Sequence, residues 1–334
     1  MRRCSRRSSA SWSAGAPGGR CVDSVAALVE CGTHAVFAAA TGPLSVHEQH
    51  PIPGLLGRLE PGMLLMADRG ITGFGLWQAA SATGADLLWR VRKNIVLPVL
   101  QSFDDGSHLS EIVAGDDRDR RAPARVRVVE YRLDDRDEDT VYRLITTVCD
   151  PDQAPAVELA SLYHQRWEIE KTLDEIKTHQ GGRQLVLRSQ YPDGVEQEIY
   201  GFLLVHHALR DVMHHTACEA GLDPDRISFT RTLNAARRHV TDQAALSPSR
   251  LTRALTHTTH ELLERPLPPR RRRPTPRVIK RKMSNWHLKH PHHPHHRLTP
   301  SRRCHPPNQP TDARNTPKSP VLDLSQPPVR DGLT

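Results

Sequence analysis

Between Ala156 and Gln180 the chain has no Pro or Gly, and Leu162, Ile169, Leu173 and Ile176 return at a helical interval. At about 100° per residue, with Tyr163 set to zero, these four fall at roughly 220–280°. On the same wheel Arg166 falls at about 300°, Lys177 at about 320° and Glu170 at about 340°. The pattern predicts one helix with a narrow stripe of Tyr163, Arg166, Glu170 and Lys177 along the edge of its buried face, where a helix borders a cleft. Taken alone, such a stripe also fits a solvated charged face.

Earlier in the chain, short apolar runs predict strands. Val25–Cys31 reads as a strand, Gly32-Thr33 as a turn and His34–Thr41 as the returning strand of a hairpin, although its Ala-rich second half also permits helix. Pro51, Pro53 and Gly54 interrupt the helical tendency before Leu59. The run from Met63 to Ala67 ends in Asp68-Arg69-Gly70, which predicts a buried strand with an Asp at its carboxyl end, where open α/β sheets hold ligands. A helix over Gly73–Thr83 and a strand over Gly84–Val91 follow. Residues 92–141 read as a β-rich insertion. Asp104–Ser107 forms a hairpin-type turn, Arg125–Leu133 alternates with period two, and an acidic turn at Asp134–Asp139 leads to a strand over Tyr142–Val148. Glu196–Ala220 predicts a long helix with Ile199, Phe202, Leu203, His206 and Leu209 spaced for burial, and Ile227–Val240 a further one. His206, His207, His214 and His215 form a pool of metal ligands, but members of an i, i+1 pair face apart on a helix.

Composition divides this core from its ends. Hydrophobic residues make up 37% of the chain and mean hydropathy is −0.55, with the deficit at the termini. Residues 1–21 are Arg, Ser, Ala and Gly with few large apolar side chains, so they are expected to be disordered. A folded domain is expected over 22–264. From Arg265 the chain turns basic and Pro-rich, with Arg270–Arg273, Arg277 and Lys280–Lys282, then His/Pro repeats past Trp286; residues 265–334 are expected to form a disordered basic tail. The net charge of +8 and pI near 9.4 suit a polyanionic partner. The six cysteines include no CxxC pair, and scattered thiols fit a reducing cytoplasm. No apolar run reaches the length of a membrane span, and no apolar stretch follows the basic N-terminus as in a signal peptide.

Asp68 and Glu170 are carboxylates from separated segments, of the kind that meet at a divalent metal. Phosphoryl transfer on nucleic acid commonly uses such ions, and Mg²⁺ takes a few carboxylates together with water and substrate phosphate. Arg166 and Lys177 would set positive charge on phosphate oxygens, and Tyr163 would hydrogen-bond or pack near the scissile phosphate.

The spacing Tyr163-x2-Arg166-x3-Glu170-x6-Lys177 resembles the YREK signature of the insertion-sequence-four type of DDE transposases, and Leu65-Met-Ala-Asp68-Arg-Gly70 resembles that family's second catalytic Asp segment. Val29–His34 and Arg277–Trp286 are similar to flanking family sequence, and the resemblance covers roughly residues 22–289. It implies an α/β, RNase H-like mixed sheet with flanking helices, interrupted by a β-rich insertion. It implies Asp68 and Glu170 as catalytic and metal-binding residues, and Tyr163, Arg166, Lys177 and Arg69 as DNA-binding ones. The implied cofactor is Mg²⁺, with Mn²⁺ as a substitute. The implied reaction is DNA strand cleavage and transfer at the terminal inverted repeats of its own element, by a homodimer in the full-length protein, in the nucleoid-associated cytoplasm. The sequence departs from the family in one respect. The family's first Asp belongs to a strand upstream of Val29–His34, no Asp precedes Asp23, and Asp23 comes too late in the order. The N-terminal DNA-binding helices usual in the family also have no counterpart. The chain is therefore expected to be an N-terminally truncated, catalytically impaired copy, its first strand missing. The alternative is a non-catalytic DNA-binding fragment acting as a dominant-negative regulator of transposition.

Overall fold

The apolar runs become the strands of one mixed sheet. The computed structural model describes residues 2–6, 10–14, 22–43, 51–71, 73–115, 117, 122–133, 141–166, 168–182, 186–189, 191–241, 247–268 and 304–305, with 2–6, 10–14 and 22–24 as backbone alone. Two units divide the chain, residues 1–129 with 144–270, and residues 130–143 with 271–334.

In the first unit the strands are β1 (Arg2–Arg6), β2 (Ala10–Ala14), β3 (Val22–Glu30), β4 (Val36–Pro43), β5 (Met63–Ala67) and β6 (Asp86–Arg90). β3 and β4 form the expected antiparallel hairpin, which pairs through the Ala-rich half with a register shift between Leu28 and Val29. β1 and β2 follow one another along the other edge of β3, each antiparallel to it. β1 then runs parallel to β5, and β5 parallel to β6. This order of antiparallel strands leading into parallel ones is the mixed sheet that the RNase H-like resemblance implies. α1 (Pro53–Leu56) and α2 (Phe74–Ser81) cover one face. Leu65, Ala67, Leu87 and Trp89 meet Ile52, Leu55, Leu56, Trp77 and Ala80 there in the main core, with Trp77 edge-on to Trp89 at 5.1 Å. Two adjacent parallel strands buried in this way hold their carboxyl ends rigidly.

The sequence leads one to expect disorder over residues 1–21, yet β1 and β2 are strands. Sheet ladders are made by backbone N–H and C=O groups, so a segment poor in apolar side chains can still fill a vacant ladder. β1 occupies the place between β3 and β5, the place of the strand expected to be missing.

After β6 the sheet continues through β10 (Tyr142–Thr146) to β9 (Ala124–Leu133), β8 (His108–Ile112) and β7 (Gln101–Ser102). The turn between β7 and β8 is the predicted one. The acidic turn at Asp134–Asp139 lies outside the described residues. The helices follow: α3 (Ala156–Gln165), α4 (Glu168–Asp174), a π-helical segment Glu175–Gln180, the short β11 (Val186–Leu187) on β2, α5 (Pro192–Glu219), a 3₁₀ turn Pro224–Arg226, α6 (Phe229–Thr241) and α7 (Pro248–Leu263). α5 packs Val195, Ile199 and Leu203 beneath β3 beside Ile176, and its second half joins α6 and α7 in a separate core around Leu209, Met213, Phe229, Leu233 and Leu262.

In the second unit Tyr131 stacks on Tyr142 at 5.2 Å and Arg143 pairs with Glu130. There β12 (Cys304–His305) pairs antiparallel with Leu133 and Arg132, so two residues of the tail enter a ladder. The Arg/Lys clusters and the His/Pro repeats lie outside the described residues. Among the described residues no helix is long and apolar enough to cross a membrane.

Candidate active site

Asp68 stands immediately beyond the carboxyl end of β5. Its backbone carbonyl accepts from the N–H of Ile71 (2.9 Å), and its Oδ1 accepts from the N–H of Arg69 (2.8 Å), so the turn itself orients the carboxylate. The parallel register Ala67↔Trp89 sets Arg90, the last residue of β6, beside Asp68. Sequence reading passed over Arg90, whose only signal was that two apolar runs each end in a charged residue.

The helix predicted as continuous is broken in two places. α3 ends at Gln165 and α4 begins at Glu168, so Arg166 sits at the junction. From Glu175 the turns widen to π, closed by Gly181 N–H donating to Ile176 O at 2.9 Å. Tyr163 and Arg166 are 1% and 2% exposed, so they lie inside the protein rather than on the edge of a cleft. Tyr163 Oη donates to Asp68 Oδ1 at 3.4 Å, Arg166 Nη1 stands 3.8 Å from Asp68 Oδ2, and the Arg166 guanidinium lies 5.2 Å from the centre of the Tyr163 ring. Burial pushes the Tyr163 phenol well above its usual range, so it remains a donor at neutral pH. Both residues, expected to bind DNA, are in this structure partners of Asp68. Glu170 on α4 and Lys177 on the π segment are half-buried, burial lowers the lysine's pKa, and Arg69 is exposed.

The start of α3 is held from the insertion. Asp105 accepts from the N–H of Ala156 (2.9 Å) and pairs with the buried Arg127. This caps an orphan donor that Pro155 cannot satisfy.

Behind α4 lies a buried polar cluster that sequence reading did not assemble. Glu175 accepts from His206 Nε2 (3.0 Å) and Arg210 Nε (3.0 Å) and makes a further short contact with Arg210 Nη2. Arg210 also reaches His34 Nδ1 (2.6 Å), and His34 Nε2 lies 2.8 Å from Glu168 and 3.3 Å from Asp225. The ligand atoms of His34, Glu168 and Asp225 lie within 4.8 Å of one another, close enough for a metal. Arginine only donates, so Nδ1 is an acceptor and Nε2 carries the proton; a protonated Nε2 is not a ligand, and the trio is a close cluster of one histidine and two carboxylates. The histidines proposed as a metal pool do not converge either. His206 is buried against Glu175, while His207 and His215 are exposed.

This cluster sets an expected pH dependence. Burial lowers the pKa of His34 and His206. Each folded pKa lies below the unfolded value of 6.5, so the stability they carry is present above pH 6.5 and is lost as pH falls below it. Burial alone would raise Glu175, but hydrogen bonds from His206 and His34 and the Arg210 guanidinium hold its carboxyl far below the usual range, adding a second loss below pH 4.5. Urea unfolding should give a plateau above pH 7 and a decline towards pH 5.5 of at most about 1.4 kcal/mol per pH unit per histidine. His206→Gln should flatten that decline; an unchanged slope in this variant would count against the assignment.

The Transposase DDE domain family matches residues 1–206, and the chain belongs to that family. Transposase InsG for insertion sequence element IS4 of Escherichia coli (strain K12) is 29% identical over 256 residues, which cover 75% of this chain and 58% of InsG. A piggyBac transposase, solved by cryo-EM as a synaptic complex with hairpin DNA, is similar over 77% of this chain and 57% of its own length, with 9% identity and a TM-score of 0.41. The chain thus spans under two thirds of either relative.

Proposed function

We propose that this chain binds DNA at the carboxyl ends of β5 and β6, as an insertion-sequence transposase does, with its strand-cleavage chemistry impaired. The observation that carries the reading is the Asp68–Tyr163–Arg166 constellation at the end of a buried parallel strand, just before the helical stretch that bears Glu170 and Lys177. Lys177, Arg69 and Arg90 are the cations assigned here to phosphate, and Tyr163 and Arg166 fix and counter the charge of Asp68. Asp68 and Glu170 are the residues that would hold a divalent ion, Mg²⁺ or in its place Mn²⁺, which when bound supplies Lewis-acid polarisation of a phosphoryl oxygen.

Two carboxylates suit one such ion. A pair of ions needs a further acid, and β1, the strand beside β5, reads Arg-Arg-Cys-Ser-Arg. Asp23 does not replace it. Met66 and Val29 are both level with Ser5, so Asp68 is level with Ala27, and Asp23 lies four residues further, roughly 13 Å along the strand. The same observation favours the second reading, a non-catalytic DNA-binding protein that competes with active copies at terminal inverted repeats or pairs with them as a homodimer.

Fluorescence anisotropy with a duplex carrying an element end tests the proposal. Affinity should fall steeply between 50 and 200 mM salt, and Arg69→Ala and Lys177→Ala should each reduce the slope by about 1. Binding indifferent to salt, or no binding, would remove it.

A further inference from the structure

Two residues of the signature, Glu170 and Lys177, are half-buried, and each has a more deeply placed carboxylate two positions before it. Glu168 and Glu175 are each two residues before Glu170 and Lys177, and two residues on a helix are about 200° apart. Each of these carboxylates therefore lies on the helix face opposite one of the two signature residues. Glu168 Oε2 lies 2.8 Å from His34 Nε2 and 3.4 Å from Lys171 Nζ. Glu175 is held by His206 and Arg210. His34 joins the two carboxylates through its Nδ1, which accepts from Arg210 Nη2, and it sits in the β3–β4 turn with a φ of 59°, a left-handed conformation costly for a residue with a Cβ.

Glu175 is also the first residue of the π segment. A π turn is an uncommon local geometry that must be stabilised from outside. Here α5 secures both ends, through Arg210 and His206 on Glu175 and through Phe202 O, which accepts from Gln180 Nε2 at 3.0 Å. Returning these turns to α geometry would rotate Lys177 relative to Glu170.

We propose that Arg210, acting through Glu175 and His34, is a positioning residue that fixes the π register and so aims Lys177 at phosphate beside Glu170. This rests on the reading of Lys177 as a phosphate-binding cation. A double-mutant cycle on the full chain tests it, with a short labelled duplex of random sequence at fixed ionic strength as the probe. Lys177→Ala should weaken binding about five- to tenfold, and Glu175→Gln by a similar factor. The double variant should be within about twofold of Lys177→Ala, because a misaimed lysine and an absent one are equivalent. His34→Asn, which tolerates the left-handed backbone, serves in the same cycle if Glu175→Gln does not fold.

A double variant weakened by the product of the two factors would overturn the inference, since a merely structural cluster acts independently of Lys177. Unchanged binding by Lys177→Ala alone would overturn the phosphate reading itself, and the inference with it.

Discussion

Arg127→Ala is expected to lower the stability of the chain by about 3–5 kcal/mol. The Arg127 side chain is fully buried, yet every face of it is used. Nε donates to Ser107 Oγ (2.7 Å), Nη1 to the carbonyls of Ala154 (2.7 Å) and Asp150 (3.3 Å), Nη2 pairs with Asp105, and the guanidinium lies 5.8 Å from the Phe103 ring centre. Truncation removes this packing and leaves the Asp105 carboxylate without its counter-charge at the first turn of α3. The consequence reaches the site, because α3 carries Tyr163 and leads into Arg166. Urea unfolding of Arg127→Ala beside Arg125→Ala, whose side chain is exposed, measures the effect. The second variant should move by less than about 0.5 kcal/mol. A loss below about 1 kcal/mol for Arg127→Ala would show that this linkage does not hold the insertion to the helix.

The second large effect is a gain. Ser5→Asp places a carboxylate on β1, level with Met66 and two residues short of Asp68. If the site lacks only a third acid, this variant should raise Mg²⁺- or Mn²⁺-dependent cleavage of element-end DNA by about a hundredfold or more over the parent chain. Ser5→Asn, of the same shape without the charge, should give no gain. Equal rates in the two variants would mean that a further acid at this level of β1 does not complete the site.

Much of this site was legible in the sequence, and the rest was not for physical reasons. Asp68 was legible because a short apolar run followed by Asp-Arg-Gly has few other meanings than a buried strand end. The β3–β4 hairpin, β5, α2 and β6 follow from the same local patterns. The helix around Glu170 was legible in outline, but its break at Arg166 and its π turn were not. At both, the residue meets a partner far along the chain, Asp68 for Arg166 and Arg210 for Glu175, and the link from Arg210 to His34 spans 176 positions. A helical wheel placed Arg166 at the border of the buried face, where a charged residue ordinarily stays wet; the Asp68 carboxylate lets it sink further. α7 was missed because Thr and His dilute its apolar positions, and of its described residues only Thr258 and Leu262 are buried. β1 was missed because a ladder is made by the backbone, which composition does not report.

The central claim is that the chain keeps the framework of a DDE site without its full set of carboxylates. It is tested most directly by incubating the parent chain and Asp68→Asn with a duplex carrying the element's terminal inverted repeat, in Mg²⁺ and in Mn²⁺, and counting cleaved strands. The two proteins should bind the duplex and show the same background cleavage. Robust metal-dependent cleavage by the parent chain, abolished in Asp68→Asn, would contradict the account.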